Sequence, residues 1–160
     1  MNTTQALWVI WTSLIVGLIA YVVPLPFSWR WFRPEVPLLV LFYWNLALPH
    51  RVGLFSAAIM GLLLDIINGS AVGALAFGTV IATLFILVNY QRIRQFDSLL
   101  QSAVMGLLIG LALVIERWLH GLLGMASDGF QFMYSLPLTV ALWPIVRNGL
   151  RALRRDFEVQ

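Results

Sequence analysis

Long apolar runs follow one another along almost the whole chain, and its few charged residues fall in the gaps between those runs or at their ends. Hydrophobic residues make up 61% of it and the mean hydropathy is +0.88, against an apolar content of roughly 45–50% in soluble domains. Lipid must therefore solvate most of the surface, and the sequence predicts an integral membrane protein. No polar stretch among the 160 residues is long enough for a separate soluble unit, so a single helical domain over residues 1–160 is expected.

Six apolar segments can be marked, at 7–23, 36–48, 52–67, 72–88, 99–119 and 130–146, followed by a basic tail at 147–160. They lack the alternation of barrel strands, and open strands cannot satisfy their backbone in lipid, which leaves helices. The expected fold is all-α, a polytopic bundle of about six transmembrane helices. The second segment covers only about 20 Å of helix against a hydrocarbon core of about 30 Å, so it must borrow flanking residues, thin the bilayer or shelter among neighbours. Pro24 and Pro26 close the first run, Pro34 and Pro37 bracket the start of the second, Pro49 ends it, and Pro137 and Pro144 predict a kink in the sixth. The first run follows no Lys or Arg and precedes no small-x-small site, so a retained span is expected rather than a signal peptide.

All ten basic residues are arginines. Six spans with a cytoplasmic C-terminus place Arg51, Arg92, Arg94, Arg147, Arg151, Arg154 and Arg155 inside and Arg30, Arg33 and Arg117 outside, and this asymmetry predicts that both termini face the cytoplasm. Trp8 and Trp11 suit one interface, Trp29 and Trp31 the other. The scattered arginines read as topology signals and lipid contacts, not as a nucleic-acid patch. In the tail, Arg147, Arg151, Arg154 and Arg155 share one helical face while Leu150, Leu153 and Phe157 share another. That spacing fits a basic amphipathic turn on the inner leaflet, with a frayed stop-transfer tail as the alternative.

Small residues recur every fourth position from Gly53 through Ala57, Gly61, Asp65 and Gly69 to Gly73, and Ser102, Gly106 and Gly110 form a second stripe. Such stripes let helix backbones approach closely, so the third helix is expected to be central and to pack on the fifth; the plainer reading is that glycine is simply frequent in membrane helices. Asp65 is the most costly residue to insert, about 2.5–3.5 kcal/mol unless paired, protonated or hydrated. Helix rise from Arg51 puts it level with Arg33, Glu35, Glu116, Arg117 and His120, which predicts an outer polar cluster in which Asp65 pairs with Arg33 or Arg117 and Glu116 contacts His120. Two readings of the cluster stand, a clamp joining helices two, three and five and a substrate or proton pathway. Asp65 also fits as an interfacial residue capping the turn at Asn68 and Gly69.

Catalytic chemistry is thinly represented. His120, Ser127 and Asp128 share a loop without a nucleophile-elbow pattern, His50 and His120 fall on opposite sides of the membrane, and the chain has neither cysteine nor lysine. No catalytic residue, metal or cofactor is expected.

The runs Phe32-Arg33-Pro34-Glu35, Tyr43-Trp44-Asn45-Leu46-Ala47-Leu48-Pro49-His50-Arg51-Val52 and Gly61-Leu62-Leu63-Leu64-Asp65-Ile66-Ile67-Asn68-Gly69-Ser70, with Gly73 beyond, resemble the bacterial rod shape-determining MreD family. The family's Arg-Pro matches Arg33 and Pro34 and its Gly-x-x-x-Asp matches Gly61 and Asp65, whereas this chain carries Phe55 and Ala57 where relatives often carry glycine. The resemblance implies a non-catalytic component of the cell-elongation machinery in the bacterial inner membrane. Its implied partners are MreC and, through it, MreB filaments, the RodA glycosyltransferase and a penicillin-binding transpeptidase. It also implies a fold similar to the six-helix substrate-binding subunits of energy-coupling factor transporters, so a small-molecule binding or transport subunit is the alternative function.

Overall fold

The computed structural model describes residues 3–24, 26, 32–125 and 131–156. Trp29, Arg30, Trp31, Ser127, Asp128, Phe130 and Phe157 lie outside them. Six α-helices follow in order: α1 (Thr3–Val22), α2 (Val36–Ala47), α3 (Gly53–Asn68), α4 (Ala74–Gln95), α5 (Ser98–Leu122) and α6 (Ser135–Asp156), the last preceded by a 3-10 turn at Gln131–Tyr134. No strand occurs among the described residues.

The short second helix, not the third, occupies the centre. From Pro37 to Ala47 every residue of α2 is buried, with Leu38, Leu39, Leu41, Phe42 and Trp44 closed off completely. Helices α3, α4, α5 and α6 each pack on the next in chain order, and α2 touches all four on one side and α1 on the other. Twelve residues rise about 18 Å, and α2 resolves the mismatch by sheltering among its neighbours. Pro37 starts it, where no intrahelical N–H is needed, and Pro49 stops the chain just beyond Ala47. Polar groups tie the centre to its surround: Trp44 Nε1 donates to Ser13 Oγ at 2.7 Å, and the backbone N–H of Glu35 donates to Thr139 Oγ1 at 3.2 Å.

The small residues work between consecutive helices rather than between α3 and α5, because α4 lies between those two. A Cβ at Gly61 would collide with Ala76 Cα and sit 2.6 Å from Thr79 Oγ1; one at Gly78 would collide with the Ala112 backbone. Backbone contact this close supplies dispersion where lipid gives no hydrophobic drive, and Thr79 adds a hydrogen bond to the carbonyl of Ala57 at 3.1 Å. Gly106 and Gly110 face Val140 and Leu136 of α6. Gly53, Gly69 and Gly73 have open space around them and serve the backbone instead, all with positive φ.

Two helices, α4 and α5, are long and apolar enough to cross a membrane by length and composition; 7–22, α2 and α3 form shorter apolar helices. Large apolar side chains such as Trp8, Val16, Phe55, Val88, Leu107 and Trp118 point outward around the bundle, as a lipid-solvated surface requires. The basic tail is no separate element: α6 runs unbroken through Pro144 to Asp156, because Leu150 is buried against the bundle and carries the helix with it.

Candidate functional site

Asp65 is completely buried, yet among the described residues no arginine pairs with it. Its partners are the start of the next helix. Oδ2 accepts from the backbone N–H groups of Gly73 at 2.9 Å and Ala76 at 3.3 Å, while Oδ1 accepts from Leu75 N–H at 3.0 Å and from Ser70 Oγ at 2.8 Å. Gly73 is the N-cap of α4 and has no side chain with which to cap it; Asp65, from the preceding helix, does so instead. Its negative charge also meets the positive end of the α4 dipole. The turn that makes this possible is a Schellman motif, with Gly69 in the left-handed conformation, Ser70 N–H bonded to Asp65 O at 3.0 Å and Gly69 N–H to Ile66 O at 3.2 Å. The expected ion pair with Arg33 or Arg117 is therefore replaced by backbone capping, and the clamp joins α3 to α4, not helices two, three and five.

The polar residues expected at the level of Asp65 do converge. They line a cavity of about 360 Å³ where the ends of α1, α3 and α5 meet the starts of α2 and α6. Arg33 arches over the Tyr21 ring, 4.6 Å from its centroid, and its Nη2 donates to Val23 O at 3.3 Å. Tyr21 donates to Asn68 Oδ1 at 3.1 Å. Glu116, Arg117 and His120 enter from α5; Arg117 lies over the Phe132 ring at 5.7 Å. His120 does not bond Glu116 but accepts the Ala71 N–H at Nε2, 3.3 Å away. Pro34 is half-buried beside the cavity and its carbonyl accepts from Val36 N–H at 2.9 Å.

Two atoms of this cavity are buried without a partner, Glu35 Oε2 and Arg117 Nε. Glu35 precedes α2 and is 8% exposed. Burial, reinforced by the neighbouring Glu116, pushes its carboxyl up out of the usual range against the opposing pull of Arg33 and Arg117. Sequence reasoning placed Glu35 in the cluster without singling it out. The signal available was an acid lodged between Pro34 and an apolar run.

The opposite end holds a second cavity of about 330 Å³, floored by Tyr43, Leu46 and Trp143 and rimmed by Arg94, Arg147, Arg151 and Arg154. Arg94 donates to the carbonyl of Ala47, at the end of α2, and Gln101 ties the site together by donating to Ile93 O at 3.1 Å and accepting from Trp143 Nε1 at 3.4 Å. Arg155 lies outside the cavity, exposed beside Asp156 at 3.8 Å. Sequence reasoning passed over Gln101, whose signal was a lone amide within the apolar run 99–119. Among the described residues no group of three His, Asp or Glu converges to hold a metal.

Compared with known protein families, residues 2–153 match rod shape-determining protein MreD. The chain belongs to the MreD family. The rod shape-determining protein MreD of Haemophilus influenzae is 26% identical over 145 residues, covering 91% of this chain and 90% of that protein. No solved structure gives a significant match. MreD membership carries a role in determining rod shape, and with the apolar helices it makes this a membrane protein.

Proposed function

We propose that this protein is a non-catalytic scaffold of the cell-elongation complex, multi-pass in the inner membrane with both termini cytoplasmic. It binds MreC and, through it, MreB, RodA and a penicillin-binding transpeptidase, and so helps to position and regulate peptidoglycan synthesis. The observation that carries this reading is the MreD match over residues 2–153, which runs from the start of the chain into the last turn of α6.

The mechanism is assembly. The helical glycines Gly61, Gly78, Gly106 and Gly110, which a partner helix could have used, are covered from within by Ala76, Ala112, Val140 and Leu136. Apolar side chains face outward on several helices, among them Trp8 and Ile19 of α1 and Phe55 and Ile66 of α3, and the faces of α1 and α3 are the ones proposed for the partner. Interhelical packing there would use dispersion and shape. Co-expression with MreC and purification from membranes tests the reading: MreC is expected to co-purify, and Phe55→Ala combined with Ile66→Ala to weaken its retention. Failure of MreC to co-purify with the unmodified chain would sink it.

One observation favours a second reading, a small-molecule binding or transport subunit similar to the substrate-binding subunits of energy-coupling factor transporters. The polar cavity of about 360 Å³ falls within the roughly 300–1,000 Å³ of small-ligand sites. That reading predicts a soluble ligand that stabilises the purified protein in the absence of MreC.

A further inference from the structure

Two guanidiniums and two carboxyls line this cavity, those of Arg33, Arg117, Glu35 and Glu116, and among the described residues no ion pair joins any two of them. Charges of opposite sign that share a cavity normally close on one another, because burial raises the cost of leaving each alone. Here the cavity holds them apart. One unpaired buried atom is an acceptor, Glu35 Oε2, and the other a donor, the Nε–H of Arg117. A buried polar atom without a partner costs free energy, and a site with one of each polarity is completed by a molecule that offers both.

A simple anion would satisfy the guanidiniums and crowd the two carboxyls; a simple cation would do the reverse. We propose that this cavity binds a zwitterion with a primary ammonium close to a phosphate, the chemistry shared by the phosphatidylethanolamine head group and free phosphoethanolamine. The ammonium faces Glu35 and Glu116, and the phosphate faces Arg117 and Arg33. A primary ammonium supplies the N–H donors that Glu35 Oε2 needs, which a trimethylated ammonium lacks. A phosphate has enough oxygens for two guanidiniums arriving from different parts of the fold, one before α2 and one on α5. Such a lipid serves a scaffold as well as a transporter, so the inference stands apart from the choice between the two functions above.

The test uses the full chain purified in detergent, with lipids of identical acyl chains that differ only in head group. Native mass spectrometry and thermal melting report retention and stabilisation. Phosphatidylethanolamine is expected to be retained about tenfold better than phosphatidylcholine, its trimethylated counterpart, and Glu35→Gln and Arg117→Gln each to abolish the preference. Stabilisation by soluble phosphoethanolamine as well assigns the site to the free zwitterion; stabilisation by the lipid alone assigns it to the membrane. If either variant does not fold, the head-group comparison on the unmodified chain decides by itself. Equal retention of phosphatidylethanolamine and phosphatidylcholine together with no response to phosphoethanolamine overturns the proposal.

Discussion

Asp65 and Glu35 are both buried carboxyls at the same end of the bundle, and they are treated in opposite ways. Asp65 has three backbone N–H groups and a hydroxyl arranged about its two oxygens, whereas one oxygen of Glu35 meets no donor at all. Burial alone therefore says little about what an acid in this bundle does; its donors decide. A fully bonded carboxylate holds two helices in register, and an incompletely bonded one is held ready for something that arrives later.

The contrast breaks first at Asp65. Asp65→Ala leaves the N–H groups of Gly73, Leu75 and Ala76 without their acceptor, and unfolding in detergent should show a loss on the order of 3–5 kcal/mol. Asp65→Asn keeps one acceptor oxygen but turns an NH2 group toward backbone donors, and should cost roughly half as much. A variant as stable as the parent would show that the α3–α4 joint does not depend on this carboxylate.

Next in size is Gly61, about one turn ahead of Asp65 at the same crossing. Gly61→Leu forces α3 away from Ala76 and should cost about 1–3 kcal/mol by overpacking. Gly121→Ala, where a Cβ meets nothing within 4 Å, should instead gain about 0.5–1 kcal/mol from helix propensity. Equal effects at the two glycines would mean that the α3–α4 approach is not close.

Glu35 should respond differently. Its carboxyl is raised by burial first and by Glu116 second, so the folded chain keeps a proton that the unfolded chain releases near the ordinary carboxylate value of about 4.3. Stability from this group is full below that value and falls as pH rises through the raised one. Glu35→Gln should flatten that decline in melts taken between mildly acidic and mildly alkaline pH, and cost little at the acidic end. An unchanged slope would show that Glu35 is not the group holding the proton.

Most of the helices were legible in the sequence because apolar length and proline punctuation are local. Their arrangement was not. A helix buried among other helices and one bathed in lipid can have the same hydropathy, so the short second run gave no sign that α2 is the centre. The stripe through Gly61 announced a close approach but not its mate, since Ala76 and Ala112 are as small as any other alanine. The gathering of Arg33, Glu35, Glu116, Arg117 and His120 at one end of the bundle followed from helix rise. The partners of Asp65 did not, because backbone N–H groups eight to eleven residues onward carry no side-chain signature. The continuation of α6 was hidden for a similar reason: Gly149 weakens the helix locally, and the packing of Val146, Leu150 and Leu153 on the core offsets it.

The smallest effect on stability belongs to the other end, where every charged side chain around the second cavity is an arginine. Arg151 is exposed, and among the described residues no carboxylate lies in ion-pair contact with it. Arg151→Gln should therefore change unfolding by no more than about 0.5 kcal/mol. The loss should appear instead at the membrane surface, where each arginine near an anionic leaflet contributes about 1 kcal/mol, read as weaker retention of phosphatidylglycerol with phosphatidylethanolamine retention unaltered. A variant that also lost phosphatidylethanolamine would show that retention of that head group is not confined to the mixed-charge end, and would remove the distinction between the two ends.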